Sequence, residues 1–194
     1  MATIGRRNIT QLETVEAPGA MLTPIAARLL AVLRIATGFV FLWAFLDKTF
    51  GLGYSTAAER AWLNGGSPTK GFLSSIDVGP FAGFFTSIAG AAWADWLFML
   101  GLLGIGVALI LGIGLRVAAA AAGLMMAFMW IAEWPPAQTT NSGEPTRSSN
   151  PVVDYHVIYG LSAAVVALTY AGHTWGLGRW WAGLPIVQKN RWLI

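Results

Sequence analysis

The run from Trp96 to Leu115 constrains the fold of this chain more than any other feature, because its 20 residues include no charged side chain. Asp95 precedes it and Arg116 follows it. A helix that crosses the hydrocarbon core of a bilayer needs about 20 consecutive, mostly apolar residues. The run is therefore predicted to be a transmembrane helix, and the chain an integral membrane protein.

Three further apolar stretches predict three more spans. They run from Leu29 to Leu46, from Val117 to Ala132, and from Val152 to Gly172 after a helix start at Asn150-Pro151. Residues 112–116 leave room only for a tight turn, so the second and third spans are predicted to be antiparallel neighbours. The predicted fold class is an all-α membrane protein, built as a four-transmembrane-helix bundle.

The composition agrees with a membrane protein and excludes several classes of soluble protein. Charged residues make up 11% of the chain and hydrophobic residues 56%, whereas soluble domains carry about 25% charged residues. The absence of cysteine excludes disulfides, iron–sulfur clusters and thiolate zinc sites. The 12 Lys and Arg residues form no cluster beyond Arg6-Arg7, which argues against a nucleic-acid partner.

The distribution of Lys and Arg around the spans predicts the orientation in the membrane. Basic residues are enriched in cytoplasmic loops, and here one side carries seven and the other four. Both termini of this multi-pass membrane protein are therefore predicted to be cytoplasmic. The richer side carries Arg6, Arg7, Arg28, Arg116, Arg179, Lys189 and Arg191, and the poorer side Lys48, Arg60, Lys70 and Arg147.

Three regions follow from this layout: a cytoplasmic tail over residues 1–22, a membrane domain over 23–175, and an interfacial cytoplasmic tail over 176–194. The first extracytoplasmic loop is long. It is predicted to contain interfacial helical segments at Ser55 to Leu63 and at Phe81 to Trp93. The lipid bilayer is thus the first expected partner of the chain.

Small residues at four-residue spacing predict where the spans pack, because lipid gives apolar helices little other reason to associate. Such rows occur in the second, third and fourth spans. The rows are Gly104, Ala108 and Gly112; Ala119, Gly123 and Ala127; and Ala163, Ala167 and Ala171.

Arg34 is the deepest ionisable residue in the predicted spans. A charged group at the bilayer centre costs about 2.5–3.5 kcal/mol on insertion scales, so such residues are candidates for function. Two interpretations stay open. The side chain is structural, either paired or reaching back to the cytoplasmic surface, or it binds a ligand.

Ionisable residues also gather where the spans reach the outer surface, and His156, Glu133 and Asp154 are the candidate catalytic residues. An imidazole beside carboxylates at the hydrocarbon boundary suits an amphipathic ring with exchangeable protons, such as a quinone. His156 would protonate a carbonyl oxygen, and Glu133 or Asp154 would pass the proton outward. The alternative is an interfacial belt of charges and tryptophans, as any membrane protein has. The candidate cofactor-binding residues are Arg34, Trp43, Lys48, Trp130, Trp134 and Tyr159.

Haem, metal and nucleotide cofactors are not expected. His156 and His173 are 17 residues apart, about 25 Å along one helix, so they cannot bind the same haem iron. A metal ion at Glu133, Asp154 and His156 is conceivable, but no ligand spacing indicates it. No nucleotide-binding motif is present.

The first span contains a pattern of short motifs: Leu33-Arg34-Ile35, Gly38, Phe41-Leu42, Lys48 and Phe50-Gly51. This pattern resembles the opening helix of the DoxX family, which includes the DoxD-like membrane subunit of thiosulfate:quinone oxidoreductase. The four-span layout and the opening of the fourth span are similar too, so that the resemblance covers roughly residues 25–175. Phe45 departs from the family pattern, which often has glycine before the lysine.

The resemblance implies a bacterial plasma-membrane protein connected with quinone or sulfur redox chemistry. Two functions stay open: a quinone-linked redox or respiratory subunit, as component or accessory of a larger complex, and a non-catalytic scaffold that recruits a membrane or extracytoplasmic protein through its outer loops. A transporter is less favoured, because the second and third spans have few polar side chains to line a path. Without cysteine, any electrons are expected to come through a partner.

Overall fold

Helices make up nearly all regular structure of the computed structural model, which describes residues 23–146 and 148–194. The predicted cytoplasmic tail, residues 1–22, lies outside the described residues. An isolated bridge joins Thr139 to Pro145. The α-helices are α1 (Pro24–Phe50), α2 (Lys70–Leu73), α3 (Ala82–Ser87), α4 (Ala92–Leu111), α5 (Leu115–Glu133), α6 (Tyr155–Leu168), α7 (Gly178–Ala182) and α8 (Pro185–Lys189).

Three of these helices, α1, α4 and α5, are long and apolar enough to cross a membrane. The helix in the fourth predicted span, α6, is apolar but has only 14 residues. The structure therefore confirms an all-helical membrane protein with three candidate spans and one shorter apolar helix. Thr23 caps α1 by accepting a hydrogen bond from the N–H of Ala26, as the Thr23-Pro24 pair leads one to expect.

The predicted start of the fourth helix at Asn150-Pro151 is wrong. The Asp154 carboxylate accepts hydrogen bonds from two backbone N–H groups of the first turn, which makes Asp154 the N-cap residue. The Asn150 side chain closes a separate turn by accepting from two N–H groups that precede the helix. The helix therefore begins at Tyr155, and His156 lies in its first turn.

Glycines in the left-handed conformation set the tight turn between α4 and α5. Gly112, with φ of 75°, ends α4 at Leu111, four residues before the predicted end at Leu115. Gly114, with φ of 56°, leads into α5. The predicted antiparallel pair is confirmed. Below, the end of the bundle that carries this turn is called the turn end, and the opposite end the loop end.

The helices pack mainly as two pairs, α1 against α4 and α5 against α6. A Cβ atom on Gly106 would lie 2.7 Å from the backbone nitrogen of Leu42, so this glycine allows α1 and α4 to approach closely. Two glycines of the predicted small-residue rows, Gly104 and Gly123, face open space instead. The buried core comprises Phe41, Met99, Leu102, Ile105, Leu109, Leu115, Ala118, Ala122, Met126, Ala163, Val166, Ala167 and Ala171.

Arg34 is fully buried at the turn end, where its guanidinium binds backbone carbonyls of two segments. Nη1 donates to the carbonyls of Leu109 and Ile110, the second at 2.6 Å. Nη2 donates to the carbonyls of Thr174 and Trp175, at 3.4 and 2.8 Å. Carbonyls in the last turn of a helix lack an intrahelical donor, and the cation supplies one. Arg34 thus has the structural role that the sequence left as one of two interpretations.

Two buried carboxylates organise the loop between α1 and α4, residues 51–91, which is called loop one. Asp47 accepts hydrogen bonds from the backbone N–H groups of Tyr54 and Ser55, at 3.2 and 3.0 Å. Asp95 accepts from the backbone N–H and the hydroxyl of Thr69, at 3.0 and 2.5 Å. Both acids belong to the long helices, so loop one is fixed to the bundle at each of its ends.

The helical segments predicted in loop one are shorter than expected. The stretch Ser55 to Leu63 contains two 3-10 turns, Ala58–Arg60 and Trp62–Asn64, and no α-helix. The stretch Phe81 to Trp93 is interrupted by Gly90, whose φ of 79° separates α3 from α4.

Replacement of Arg34 by glutamine is expected to destabilise the protein by about 2–5 kcal/mol, because buried carbonyls lose a charged donor. The control is Arg28→Gln on the exposed surface of the same helix, where the free energy of unfolding should change by less than about 0.5 kcal/mol. Unfolding of the purified protein in mild detergent measures both. Equal stability of the two variants would contradict the structural role of Arg34.

Gly106→Ala is expected to lower the unfolding temperature, because its Cβ would collide with the backbone of Leu42 and push α1 away from α4. Gly104→Ala is the matched control on the same helix. Its Cβ meets no atom within 4 Å, and alanine favours a helix over glycine by up to about 1 kcal/mol, so stability should hold or rise. Thermal unfolding of both variants tests the packing, and a reversed order would show that it is wrong.

Candidate functional site

The candidate site lies at the loop end, where the last residue of α5 meets the first turn of α6. Trp134 takes a left-handed conformation with φ of 43° and ends α5 after Glu133. The prolines at 135 and 136 cannot continue the helix. The structure brings together the three candidate catalytic residues, Glu133, Asp154 and His156.

His156 is completely buried, and one of its two ring nitrogens has a carboxylate partner. Nδ1 lies 2.8 Å from Oδ2 of Asp154. Because a carboxylate accepts, this contact places the proton of the neutral ring on Nδ1. Nε2 is buried and has no hydrogen-bond partner among the described residues, and it faces Oε1 of Glu133 at 4.0 Å. The imidazole is thus oriented through Nδ1, and its second nitrogen lies next to the carboxylate of Glu133.

Tyr155 belongs to the site although it was absent from the predicted site residues. Its hydroxyl donates to Oε1 of Glu133 at 2.7 Å, and its ring centroid lies 4.0 Å from that of His156. Tyr155 is half exposed. It therefore connects the Glu133 carboxylate, which faces the buried imidazole, with the protein surface. In the sequence, the feature that could have indicated Tyr155 as a site residue was its position next to His156 at the predicted start of a helix.

The arrangement can hold and transfer a proton at Nε2. A protonated His156 would donate from Nε2 to an acceptor oxygen between the ring and Glu133, while Asp154 stabilises the imidazolium. A neutral ring would accept a proton at the same atom. Glu133 and Tyr155 then offer a hydrogen-bonded route for that proton to the surface.

The same three side chains satisfy a distance test for a metal ion, because their ligand atoms lie within 4.8 Å of one another. However, the Asp154 carboxylate already binds Nδ1 and backbone N–H groups of α6. This leaves only Nε2 and the Glu133 carboxylate facing each other. The absence of a metal here stays a prediction.

Three of the predicted cofactor-binding aromatics contact residues next to this cluster. Trp130 donates from its indole N–H to the carbonyl of Val152 at 3.0 Å, which holds the segment before Asp154 in place. The ring of Trp134 packs edge-to-face on Trp130, with centroids 5.7 Å apart. Tyr159 packs on Tyr155, one helical turn away, at 6.0 Å.

The other predicted cofactor-binding residues lie apart from the cluster. Arg34 is at the turn end and binds carbonyls there. Trp43 packs edge-to-face on Tyr54 of loop one, with centroids 5.1 Å apart. Lys48, at the loop end of α1, is half buried and makes no salt bridge with any residue in the described ranges. No described contact joins these three to His156.

The second histidine, His173, is at the turn end, in the 3-10 turn Ala171–His173 that follows α6. Burial and the nearby charge of Arg179 lower the pKa of His173. The two histidines therefore lie at opposite ends of the bundle, but not on one continuous helix as predicted, because α6 ends at Leu168.

Comparison with known proteins identifies the family to which the chain belongs. A family model described as DoxX matches residues 29–134, more than half of the sequence. The chain belongs to the DoxX family. No curated protein and no solved structure matches it. The DoxX match includes Glu133 and ends before Asp154 and His156, so the imidazole of the candidate site lies beyond the matched part.

Asp154→Asn is expected to move the proton of His156 from Nδ1 to Nε2 in this DoxX protein. The oxygen that accepts from the backbone stays in place to cap α6, so the new amide group faces the ring and donates to Nδ1. The chain has only two histidines, so ¹⁵N-histidine labelling resolves both imidazoles, with His173 as internal control. A proton that stays on Nδ1 in the variant would show that Asp154 does not set the tautomer.

Proposed function

We propose that this DoxX-family chain is an integral membrane subunit for quinone-linked redox or respiratory chemistry, as a component or accessory of a larger complex. The observation that carries the proposal is the buried Nε2 of His156, which has no hydrogen-bond partner in residues 23–146 and 148–194 and faces Glu133 at 4.0 Å. Aromatic rings are close to the cluster: Trp134 follows Glu133 and packs on Trp130, and Tyr159 packs on Tyr155.

A quinone fits the chemistry of this position. Its ring is apolar on both faces, and its carbonyl oxygens accept hydrogen bonds. Reduction to the quinol takes up two electrons and two protons. His156 would give one proton to a carbonyl oxygen, and the other carbonyl oxygen would take its proton from water at the membrane surface. Glu133 and Tyr155 would return a proton to His156 from the surface. The chain has no cysteine to hold an iron–sulfur cluster, so we assign the electron donor to a partner protein.

The proposed topology is four spans in a bacterial plasma membrane with both termini in the cytoplasm. The 14 residues of α6 cover about 21 Å, and the 3-10 turn Ala171–His173 continues toward the turn end. The described basic residues support cytoplasmic placement of the turn end. Arg28, Arg116, Arg179, Lys189 and Arg191 belong to that end, and Lys48, Arg60 and Lys70 to the other.

Variants of the site are expected to lose quinone reduction in membranes of a host that contains the native partners. His156→Ala and Glu133→Gln should each lower the rate by about 100-fold or more, the usual contribution of a positioned acid or base. Glu144→Gln, an exposed acid in the loop before α6, and His173→Ala at the turn end are the matched controls. Quinol formation is followed spectroscopically, at equal amounts of protein in the membrane.

Unchanged rates in both site variants would overturn the catalytic form of the proposal. They would favour the second candidate, a scaffold that recruits a partner. One observation supports that candidate: loop one is fixed by buried acids, yet it presents Tyr54 and Leu63 at 78% and 68% exposure. The scaffold is supported if substitution of Tyr54 and Leu63 abolishes co-purification of a partner protein while quinone reduction stays intact in the site variants.

A further inference from the structure

We propose that the groove between α4 and α5 binds one acyl chain of an anionic phospholipid. Its headgroup lies against the basic C-terminal segment, residues 176–194. This binding site lies at the turn end, away from His156, and does not depend on the proposed function. Two independent features carry it, the shape of the groove and the charge beside it.

The groove has a volume of about 450 Å³ and an almost wholly apolar lining. That size is within the range of about 300–1,000 Å³ typical of small-molecule sites. Small residues create it, because Gly104 and Ala108 of α4 and Ala121 of α5 leave the space between the two helices unfilled. The groove lies between α4 and α5, which are both candidate membrane spans. An extended apolar chain fits such a shape.

The C-terminal segment closes the groove at the turn end. Trp181 and Leu193 line it there, and the indole N–H of Trp181 donates to the carbonyl of Leu193 at 2.7 Å. Val187, which is fully buried, anchors α8. The segment is thus a packed part of the bundle, with a defined surface next to the groove.

That surface is basic, because residues 155–194 include Arg179, Lys189 and Arg191 but no Asp or Glu. Arg191 is exposed two residues before Leu193, and Lys189 is exposed two residues earlier. Arg116, in the first turn of α5, donates to the carbonyl of Arg191 and adds a third positive charge. An anionic headgroup is the complement of this cluster.

Exposed aromatic residues place this segment at the height of lipid headgroups. Trp180 and Trp192 are 59% and 62% exposed, and Ile186 is equally open. Tryptophan is enriched at the membrane–water interface. An apolar groove that runs into the membrane from a basic interfacial surface matches an anionic amphiphile along its whole length. A second copy of the chain fits less well, because it would bring two identical basic clusters together.

Native mass spectrometry of the protein, washed in mild detergent after incubation with phosphatidylglycerol or phosphatidylcholine, tests the site. We expect one phosphatidylglycerol to be retained per chain, at least tenfold more than phosphatidylcholine. Lys189→Gln with Arg191→Gln should reduce retention of phosphatidylglycerol by up to about 25-fold, since each basic residue near the surface contributes about fivefold. Arg60→Gln with Lys70→Gln, at the loop end, is the control and should leave retention unchanged.

A second pair of variants tests the groove itself. Gly104→Leu should fill the groove and abolish retention of both lipids, because a Cβ at this position meets no atom within 4 Å and the longer side chain would then extend into the groove that Gly104 lines. Gly123→Leu is the matched control: it also faces open space but lies outside the groove. Three results would overturn the proposal: equal retention of the two lipids by the unaltered protein, retention that survives Gly104→Leu, or a dimer that this substitution dissociates.

Discussion

The buried guanidinium of Arg34 is the interaction on which the turn end of the bundle depends. Within hydrocarbon, each backbone carbonyl without a donor costs several kcal/mol, and a helix leaves its last four carbonyls unpaired. Arg34 satisfies carbonyls at the end of α4 and in the segment after α6 with one side chain. Gly112 and Gly176 leave the space that this side chain occupies, since a Cβ on either would lie about 3 Å from it. The cation thus connects α1 and α4 to residues 174 and 175, which lead into the C-terminal segment.

Backbone groups without a partner must also be satisfied at the loop end, and there the carboxylates of three aspartates accept hydrogen bonds from backbone N–H groups. Asp47 and Asp95 bind backbone N–H groups of loop one, and Asp154 binds those that open α6. Asp154 has a second role, because its other oxygen orients the ring of His156. One residue therefore fixes both the start of the helix and the proton position of the imidazole. This coupling explains how a chain with few polar groups can present one buried, oriented nitrogen at the edge of the membrane.

The sequence predicted the long helices well because length and hydrophobicity decide them, and their ends agree with the structure to within about five residues. It placed the start of α6 wrongly because Asn150 and Asp154 are both good capping residues, and only their contacts tell which one caps. The spacing of small residues predicted a helix contact at Gly104, whereas in the structure Gly106 is the glycine that contacts α1. These glycines are two residues apart on opposite faces of α4, and the face that meets α1 depends on a rotation that tertiary packing sets. Glu133, Asp154 and His156 were chosen as candidates because charge is rare near membrane spans. Tyr155 was not among the predicted site residues, because its hydrogen bond to Glu133 joins two helices and shows only in the structure.

The two ends of the bundle therefore differ in what their polar groups leave unsatisfied. At the turn end the terminal nitrogens of Arg34 and Arg116 donate to carbonyls and a tyrosine hydroxyl, whereas Nε of Arg34 and Nε2 of His173 have no hydrogen-bond partner among the described residues. At the loop end the buried carboxylates accept hydrogen bonds from backbone N–H groups. The buried side-chain atom there with no hydrogen-bond partner in the described ranges is Nε2 of His156. A buried polar atom without a partner is costly, and of the two imidazoles only that of His156 lies within 4.0 Å of a carboxylate in the described ranges. The carboxylate of Glu133 beside the buried second nitrogen therefore distinguishes His156 from His173 and supports the proposal of proton transfer there.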